Sequence, residues 1–293
     1  MALKSQSAME YLMTYGWSIL VIAIILIALF QLGIFNSSNS APRIPAGSCQ
    51  VVRNIQGSSL AGQCSGVAPQ YVAQFNGAGS YVYAPLGNYY GQNNPITVSA
   101  WVYMGTTTNG PIVGVVDSPP SGGWSMPFVS AQYPIFWGDI WDNSPISYNV
   151  PSIGWYFVAF SYTPSGSGTY SLYVDGTLAA SASGQYSPSG ALDYWTTYVG
   201  GCKPGPSNCA DTVSAYFDGE LANVQAYNTS LSTNEINALY MEGIGGAPID
   251  PVHITGWWSL NGNVNDYSGE GNSGYLAGGV GYSSLWHSNY TQP

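Results

Sequence analysis

The feature that most constrains this chain is a long, mostly apolar segment near its N-terminus, residues 18–35. It predicts a helix, and about twenty residues at a rise of 1.5 Å give roughly 30 Å, the thickness of a bilayer's hydrocarbon core. Tyr11, Tyr15 and Trp17 lie just ahead of it, where interfacial aromatic residues are expected. The sequence therefore predicts a single-pass anchor in the cell membrane through residues 11–35, with the remaining chain extracellular.

Charge is scarce throughout the chain. Charged residues make up 6% of the sequence, against roughly 25% in an average soluble domain. The net charge is −10, and the four basic residues, Lys4, Arg43, Arg53 and Lys203, form no cluster, which excludes nucleic acid as a partner. A content of 45% hydrophobic and 14% aromatic residues favours a packed domain over disorder.

Four cysteines, Cys49, Cys64, Cys202 and Cys209, follow the apolar segment. Outside the cell they are disulfide candidates, and four cysteines allow three connectivities. Proximity in the sequence favours pairing the first with the second and the third with the fourth, whereas free thiols are the alternative. With two histidines in the whole chain and no Cys-x-x-Cys pair, zinc is not predicted.

The polar head ahead of the apolar segment carries an acid, Glu10. Residues 6–12, with the sequence QSAMEYL, resemble the class III signal peptide of archaeal type IV pilins and archaellins. In that family a short basic leader is cut ahead of a glutamine, and a glutamate is the fifth mature residue. The resemblance implies an archaeal source, a leader of residues 1–5, and processing between Ser5 and Gln6, with Glu10 as the fifth residue.

The same resemblance implies that residues 6–35 form the hydrophobic helix of a subunit that assembles with sister copies. The carboxylate of Glu10 would lie at the positive end of the helix dipole and pair with the freed α-amino group of a neighbouring subunit. A simple uncleaved anchor is the alternative interpretation of this segment.

A linker rich in Ser, Asn and Pro, residues 36–48, separates the helix from the outer domain, residues 49–293. In the outer domain, short β-branched and aromatic runs alternate with Gly-, Pro-, Asn- and Ser-rich turns, a pattern that predicts strands. The clearest strand candidates are residues 96–103, 155–162, 170–174 and 217–227. Asp175-Gly176 is a hairpin-turn signal after the third of these runs.

One short helix is predicted after the last of these strands. Ser232 and Glu235 have the spacing of a capping box, and Gly243 is a helix-ending residue. Many strands, long turns and one short helix predict a mainly β fold, a two-sheet antiparallel sandwich or jelly roll.

Several of these segments also resemble a known family. The carrying motifs, in chain order, are residues 75–82, 98–102, 154–156, 172–176 and 217–228, the last with the sequence FDGELANVQAYN. Their order and spacing resemble laminin-G-like, concanavalin A-like jelly-roll domains over roughly residues 70–242. The resemblance implies that the outer domain is a laminin-G-like sandwich.

The C-terminus departs from the pattern of that family. Residues 257–274 resemble the family's opening strand and loop, but here they stand near the end of the chain. We interpret this order as a circular permutation in which the segment closes the sheet, and a vestigial second repeat is the alternative. Close termini make permutation physically easy.

The same C-terminal loop is a candidate calcium site. Its oxygen-bearing side chains are of the kind that hard cations prefer, and related folds often hold calcium. The candidate ligands are Asn261, Asn263, Asp266 and Glu270. The alternative is that these Asn and Gly residues serve turns with positive φ.

A long aromatic stretch, residues 118–152, is the predicted glycan-binding region. Flat rings beside Asp and Asn suit sugars, because C–H faces stack on the rings while hydroxyls pair with the polar groups. The candidates are Trp124, Tyr133, Trp137, Asp139, Trp141, Asp142 and Asn143. Burial in the core is the alternative for each ring, and Tyr194 with Trp195 forms a weaker second candidate.

Enzymatic chemistry has little support in the sequence. Asp218 and Glu220 have the i, i+2 spacing that places two acids on one strand face, but the matching turn of the resembling family is structural. No catalytic residues are therefore predicted. The predicted function is a surface adhesin-like or pilus-associated protein that binds glycans or cell-surface partners. The alternatives are a structural surface or pilus subunit and, with less support, an exported carbohydrate-active enzyme.

Overall fold

The computed structural model describes residues 8–31, 43–44, 68–87, 94–117, 128–140, 145–184, 195–201 and 216–293. Contacts within the chain divide it into two units, Met1–Ala41 and Pro42–Pro293. Several predicted site residues lie outside the described residues: Ser5, Gln6, Cys49, Cys64, Trp124, Trp141, Asp142, Asn143, Cys202 and Cys209. The side chain of Glu10 is likewise not described.

The first unit contains the predicted N-terminal helix. Helix α1 extends over Ala8–Gln31, within the predicted range of residues 6–35. Its described side chains are exposed and mostly apolar, with Trp17 at 71% and Ile19 at 66% exposure. In the described part of the chain, no helix meets the length and hydropathy that a membrane span requires.

The second unit is built from strands, as the alternating sequence predicts. The strands are β1 (Arg43–Ile44), β2 (Ala68–Pro69), β3 (Val72–Asn76), β4 (Tyr81–Gly87), β5 (Ile96–Met104), β6 (Asn109–Asp117), β7 (Phe128–Gln132), β8 (Ile135–Asp139), β9 (Ile146–Asn149), β10 (Gly154–Thr163), β11 (Thr169–Val174), β12 (Thr177–Ser183), β13 (Trp195–Val199), β14 (Asp218–Tyr227), β15 (Ile254–Trp258), β16 (Tyr275–Ala277) and β17 (Gly281–Ser283). Helix α2 (Thr233–Met241) follows β14, and a 3₁₀ turn (Trp286–Asn289) lies near the C-terminus.

Strands β1 and β2 pair in parallel as a separate two-stranded sheet. The other strands form two antiparallel layers, which we call sheet 1 and sheet 2. Sheet 1 has the order β12-β11-β10-β5-β14, and the far edge of β14 pairs first with β3 and then with β15. Sheet 2 has the order β9-β8-β7-β6-β13-β4-β16. The ladder pair Asp218 with Asn109 links the two sheets through β14 and β6. The prediction of a mainly β, two-layer sandwich is thus confirmed.

A hydrophobic core fills the space between the sheets. Val98, Ala100 and Val102 on β5 and Val158 and Phe160 on β10 are buried in it at every second position. This is the period-2 pattern of a strand that faces a core. Burying a side chain of this size stabilises the fold by about 1.5–3 kcal/mol relative to exposure.

Direct ring contact joins the two layers. Phe136 of β8 packs edge-on against Tyr156 of β10, with ring centroids 6.0 Å apart. Gly138, also on β8, leaves room for Phe160, because a Cβ at this position would lie 2.5 Å from that ring. The layers therefore interlock where β8 crosses over β10.

Local signals in the sequence place the turns and the helix correctly. Asp175 and Gly176 form the tight turn between β11 and β12, with φ angles of 48° and 71°. The predicted capping box is confirmed: the Glu235 N–H donates to Ser232 Oγ, and the Ser232 N–H donates to Glu235 Oε2 at 2.7 Å. Gly243, with φ 79°, follows the end of α2 as predicted.

The C-terminal segment adds strands to both sheets. Strand β15 pairs antiparallel with β14 and β17 with β3 in sheet 1. Strand β16 pairs with β4 in sheet 2. The segment therefore contributes strands to both layers of the sandwich, and the circular permutation stays a prediction.

Candidate functional site

The outward face of sheet 2 displays tyrosine side chains. Along β4 the residues alternate, so that Val82 and Ala84 enter the core while Tyr81 and Tyr83 point to the opposite face. Tyr83 is paired across the ladders with Tyr198 of β13 and with Tyr275 of β16. Because directly paired residues share a face, these side chains form a row across three strands.

We call Tyr81, Tyr83, Tyr198, Tyr216 and Tyr275 the tyrosine cluster. The rings of Tyr83 and Tyr275 are stacked with centroids 5.2 Å apart, and the rings of Tyr83 and Tyr198 are 6.5 Å apart. Tyr81 stacks on Tyr216 at 6.2 Å and lies 6.1 Å from Tyr198. Tyr275 is 57% exposed, and the other four side chains are half-buried.

The turn between β3 and β4 is held rigidly beside this cluster. The Asn76 side chain accepts hydrogen bonds from the Ala78 N–H at 2.9 Å and from the Ser80 hydroxyl at 2.9 Å. Its amide also donates to the Gly278 carbonyl at 3.2 Å. An Asn that bonds backbone groups two residues on is a typical turn-forming residue, so Asn76 positions the start of β4 and with it Tyr81.

A glycine permits the close approach of two tyrosines in the cluster. Gly201 forms a bridge pair with Tyr216. A Cβ at Gly201 would lie 2.8 Å from Tyr81 Cβ and 3.1 Å from Tyr216 Cδ1. Any larger residue would therefore push the two stacked rings apart.

The phenols of Tyr81 and Tyr198 stay protonated at physiological pH, because the protein raises the pKa of each. Burial raises the pKa of Tyr81 above its ordinary value of 10.0, and the neighbouring phenols of Tyr216 and Tyr83 raise it further. Burial likewise raises the pKa of Tyr198, followed by the effect of Tyr81 and Tyr83. A protonated phenol can donate and accept hydrogen bonds, so the cluster combines flat apolar rings with neutral polar groups.

The described part of the predicted aromatic stretch divides between the core and the surface. Phe136 is buried, whereas Trp137 on the same strand is half-exposed and faces away from the core. Tyr133 packs against the core. Asp139 Oδ1 accepts the Ile140 N–H at 2.7 Å. Burial raises the pKa of Tyr170, and the nearby Asp139 charge raises it further. The structure therefore displays Trp137 on the outward face of sheet 2, at the other end from the cluster.

Trp195, of the weaker second candidate, is buried in the core with 2% exposure. Its partner in that candidate, Tyr194, lies outside the described residues.

The predicted calcium loop is organised by hydrogen bonds from Asp266. Asp266 Oδ1 accepts the N–H groups of Trp257 at 2.9 Å and Ser268 at 2.8 Å. Its Oδ2 accepts the Ser268 hydroxyl at 2.8 Å and the Asn272 N–H at 2.8 Å. All of these donors belong to the protein, so this carboxylate holds the loop's conformation in the structure.

The other predicted calcium ligands also make contacts within the protein. Asn263 Oδ1 accepts the Asn265 N–H at 3.0 Å, and Asn261 Oδ1 accepts the Tyr71 N–H at 2.8 Å. Glu270 donates its N–H to Ser268 Oγ at 3.1 Å. Among the described residues, no three His, Cys, Asp or Glu side chains gather at one point.

Asp218 and Glu220 lie on β14 opposite Asn76 and Gln74 of β3. Burial raises the pKa of the Glu220 carboxyl, and a hydrogen bond from Ser283 partly offsets that rise. Glu220 also pairs with Tyr103 of β5 in sheet 1, whereas Asp218 pairs with Asn109 of β6, where the two sheets join.

The tyrosine cluster was not anticipated from the sequence. Its members come from β4, β13, β16 and the segment before β14. Only the Tyr81-Val82-Tyr83 alternation was a local signal, and it identifies two rings on one face. The other three positions meet through strand pairing alone.

The sequence matches a family model described as the concanavalin A-like lectin/glucanases superfamily (Laminin_G_3) over residues 76–237. No curated protein matches the chain. The matched region begins in β3 and ends in α2, so β15, β16 and β17 lie beyond it.

One solved structure shares the fold at low sequence identity, and two others align with lower TM-scores. A Bacteroides ovatus protein, provisionally described as carbohydrate-binding, aligns with TM-score 0.51 and 14% identity over 80% of this chain and 66% of its own. A heptameric SAP-like pentraxin from Limulus polyphemus aligns with TM-score 0.47 and 13% identity over 73% of this chain and 94% of its own. The Ruminococcus gnavus IT-sialidase CBM40 has TM-score 0.36 and 15% identity over 51% and 83%.

Proposed function

The chain belongs to the concanavalin A-like lectin/glucanases superfamily, and on this premise we propose that its β-sandwich binds glycans. The observation that carries the proposal is the outward face of sheet 2, where Tyr275 is 57% exposed and the other four rings of the tyrosine cluster are half-buried. Sugars present apolar C–H faces to aromatic rings and hydroxyls to polar groups. Tyrosine supplies both in one side chain.

We propose that the domain binds without catalysis. Glycoside hydrolysis needs two carboxyl groups roughly 5–9.5 Å apart on either side of the scissile bond. The described ring contacts of the tyrosine cluster are with other tyrosines. Asp218 and Glu220, the paired acids of the sequence, lie on β14 in sheet 1. A binding module rather than a hydrolase is the function that this arrangement favours.

We further propose that the sandwich is presented at the cell surface in an adhesin-like or pilus-associated role. The support is the exposed apolar surface of α1, which favours contact with another apolar surface such as that of sister helices. N-terminal sequencing of the native protein tests the predicted leader. A mature start at Gln6 is expected, and a start at Met1 or Ala2 would exclude processing after Ser5.

Calcium binding at the Asp266 loop is a separate proposal, supported by the oxygen-rich loop. Each carboxylate oxygen of Asp266 already accepts two hydrogen bonds. A cation there would therefore compete with the protein's own donors. Calcium titration of the full chain, followed by thermal melting with and without chelator, tests it. A melting temperature that calcium does not raise would exclude this site.

A glycan array tests the principal proposal. The full chain should be kept in a detergent without a sugar headgroup, because α1 exposes apolar side chains and a glycoside detergent would compete for the site. Arrays with calcium and with chelator should both be read. Binding to at least one glycan class is expected, and silence under both conditions would favour the structural-subunit alternative.

A further inference from the structure

We infer that the tyrosine cluster is the glycan site and that it takes neutral oligosaccharides, not sialylated or other anionic ones. This inference rests on the proposed function of the sandwich and specifies its ligand class.

Among the described aromatic residues of the sandwich, the tyrosine cluster contains the exposed ring. On sheet 1, Trp101 and Phe157 also face away from the core, but rings from later segments cover them. On sheet 2, Tyr275 is 57% exposed. Strand β16 is the last strand in the order of sheet 2, so a ligand can reach the rings from the side as well as from above.

The spacing of the rings suits a ligand with more than one sugar unit. The 5.2 Å and 6.5 Å centroid distances across Tyr275, Tyr83 and Tyr198 resemble the spacing of adjacent strands, about 4.8 Å. The rings therefore repeat at strand spacing and extend across β16, β4 and β13. Tyr81 and Tyr216 add a second stacked pair beside this row. Because the rings of Tyr83 and Tyr275 stack on each other, an oligosaccharide that lies across the strands would contact successive ring edges and phenol hydroxyls.

Charge selects against anionic sugars. The chain carries 4 Lys and Arg against 14 Asp and Glu, a net charge of −10. A sialic acid carboxylate would have to give up water at a face of neutral phenols within a negative field. Neutral sugar hydroxyls lose less solvation free energy, because phenol oxygens can accept and donate hydrogen bonds in place of water.

Gly201 is a positioning residue for the tyrosine cluster. A Cβ there would contact both Tyr81 and Tyr216, so Gly201→Ala should separate that pair without removing either ring. We expect it to weaken binding less than loss of a ring in the central row.

Calorimetric titration of the full chain with matched probes tests the inference. The probes are lactose, sialyllactose, and neutral oligosaccharides of two to four glucose or xylose units. We expect neutral probes to bind more tightly with length and sialyllactose to bind no better than lactose. Tyr83→Ala should weaken neutral binding about tenfold or more, whereas Tyr83→Phe should retain most of it.

Tyr103→Ala is the matched control, because Tyr103 is a half-buried tyrosine on the outward face of sheet 1. It should leave affinity unchanged, and circular dichroism melting should show all variants folded. Lys203→Ala is a charge control, since Lys203 lies two residues after Gly201 in the sequence, and it should not change neutral binding.

Each contrary result has a distinct meaning. Neutral binding that survives Tyr83→Ala in a folded variant would overturn the site but leave the proposed function intact. Sialyllactose binding that exceeds lactose binding and is lost in Lys203→Ala would overturn the ligand class. No binding to any probe, together with self-association that Tyr83→Ala abolishes, would overturn both the site and the proposed function. The tyrosine cluster would then be a contact between copies of this protein.

Discussion

The outward faces of the two sheets are both aromatic, yet among the described residues other rings cover the face of sheet 1, whereas a ring on the face of sheet 2 stays exposed. On sheet 1, Trp101 is 2% exposed, because Tyr240 of α2 stacks on it at 5.9 Å and Tyr290 packs edge-on at 5.4 Å. On sheet 2, the Tyr83 and Tyr275 rings stack at 5.2 Å and Tyr275 stays exposed. The faces therefore differ in what the rest of the chain places over them.

The cover of sheet 1 comes from segments that follow β14. Helix α2 directs Ile236 and Leu239 inward, and the C-terminal 3₁₀ turn brings Trp286 against Trp155 with ring centroids 5.8 Å apart. The Trp155 indole N–H donates to the Trp286 carbonyl at 3.1 Å. Outward aromatic residues on a sandwich therefore become part of a core where another segment of the chain packs over them. Where no segment does so, they form a surface that can bind a ligand.

Removal of a covered ring should have the largest effect on stability. Trp101→Ala would leave a cavity between sheet 1, α2 and the C-terminal turn, and we expect a loss of about 3–5 kcal/mol in the free energy of unfolding. Denaturant unfolding of the full chain measures it. Trp101→Phe, which keeps a ring, should lose less, and a cost below about 1 kcal/mol for Trp101→Ala would mean that this face is not a core.

Alkaline pH should weaken the same cover. Burial raises the pKa of Tyr290 to about 12, opposed by its hydrogen bond with Ile244 and raised further by Tyr240. Because the folded value lies above the ordinary value of 10.0, the contribution is fully present below pH 10 and is lost as pH rises through 12. We expect a loss on the order of 2 kcal/mol across that window.

Tyr290→Phe is the control for this titration, because it removes the ionising group and keeps the ring. The variant should lose less stability than the native chain between pH 10 and pH 12, as measured by denaturant unfolding. Identical pH profiles would show that Tyr290 does not titrate as a buried group.

The cap of helix α2 should have an intermediate effect. Ser232→Ala removes the side-chain half of the capping box, and we expect a loss of about 1 kcal/mol. Thermal and denaturant unfolding measure it. Asn234→Ala is the matched control on an exposed position of the same helix. Equal effects of the two substitutions would mean that the Ser232 cap does not stabilise helix α2, which covers sheet 1.

Removal of an open ring should have the smallest effect on stability. Tyr275 is 57% exposed, and exposed positions typically change the free energy of unfolding by no more than about 0.5 kcal/mol. Tyr275→Ala should therefore unfold at nearly the native denaturant concentration while binding neutral oligosaccharide less tightly. A loss comparable to that of Trp101→Ala would show that sheet 2 is covered as well.

Much of the fold was predictable because its signals are local. The runs 96–103 and 155–162 alternate at the period of a strand, and the structure forms β5 and β10 there. Asp175-Gly176 and the Ser232–Glu235 capping box act within four residues of chain, so they predict a turn and a helix start directly. The low charge and absence of a basic cluster are likewise properties of composition.

The candidate site was predictable only in kind. Aromatic residues beside polar groups suggested glycan binding, but the stretch around Trp137 mixes both faces of β8, with Phe136 in the core. Residue type does not reveal which ring will be covered, because burial depends on contacts with distant segments. Trp101 and Tyr240 are far apart in sequence yet stack in the structure.

The residue pattern alone predicts a mainly β domain that follows an apolar helix in the sequence, with its strands, turns and helix cap. Those features depend on residues next to one another and on periodicity. Only the tertiary structure decided that Tyr198 and Tyr275 flank Tyr83 and that α2 and the chain end cover sheet 1 rather than sheet 2. The physical reason is that strand pairing and packing join positions whose separation in the sequence carries no periodic signal.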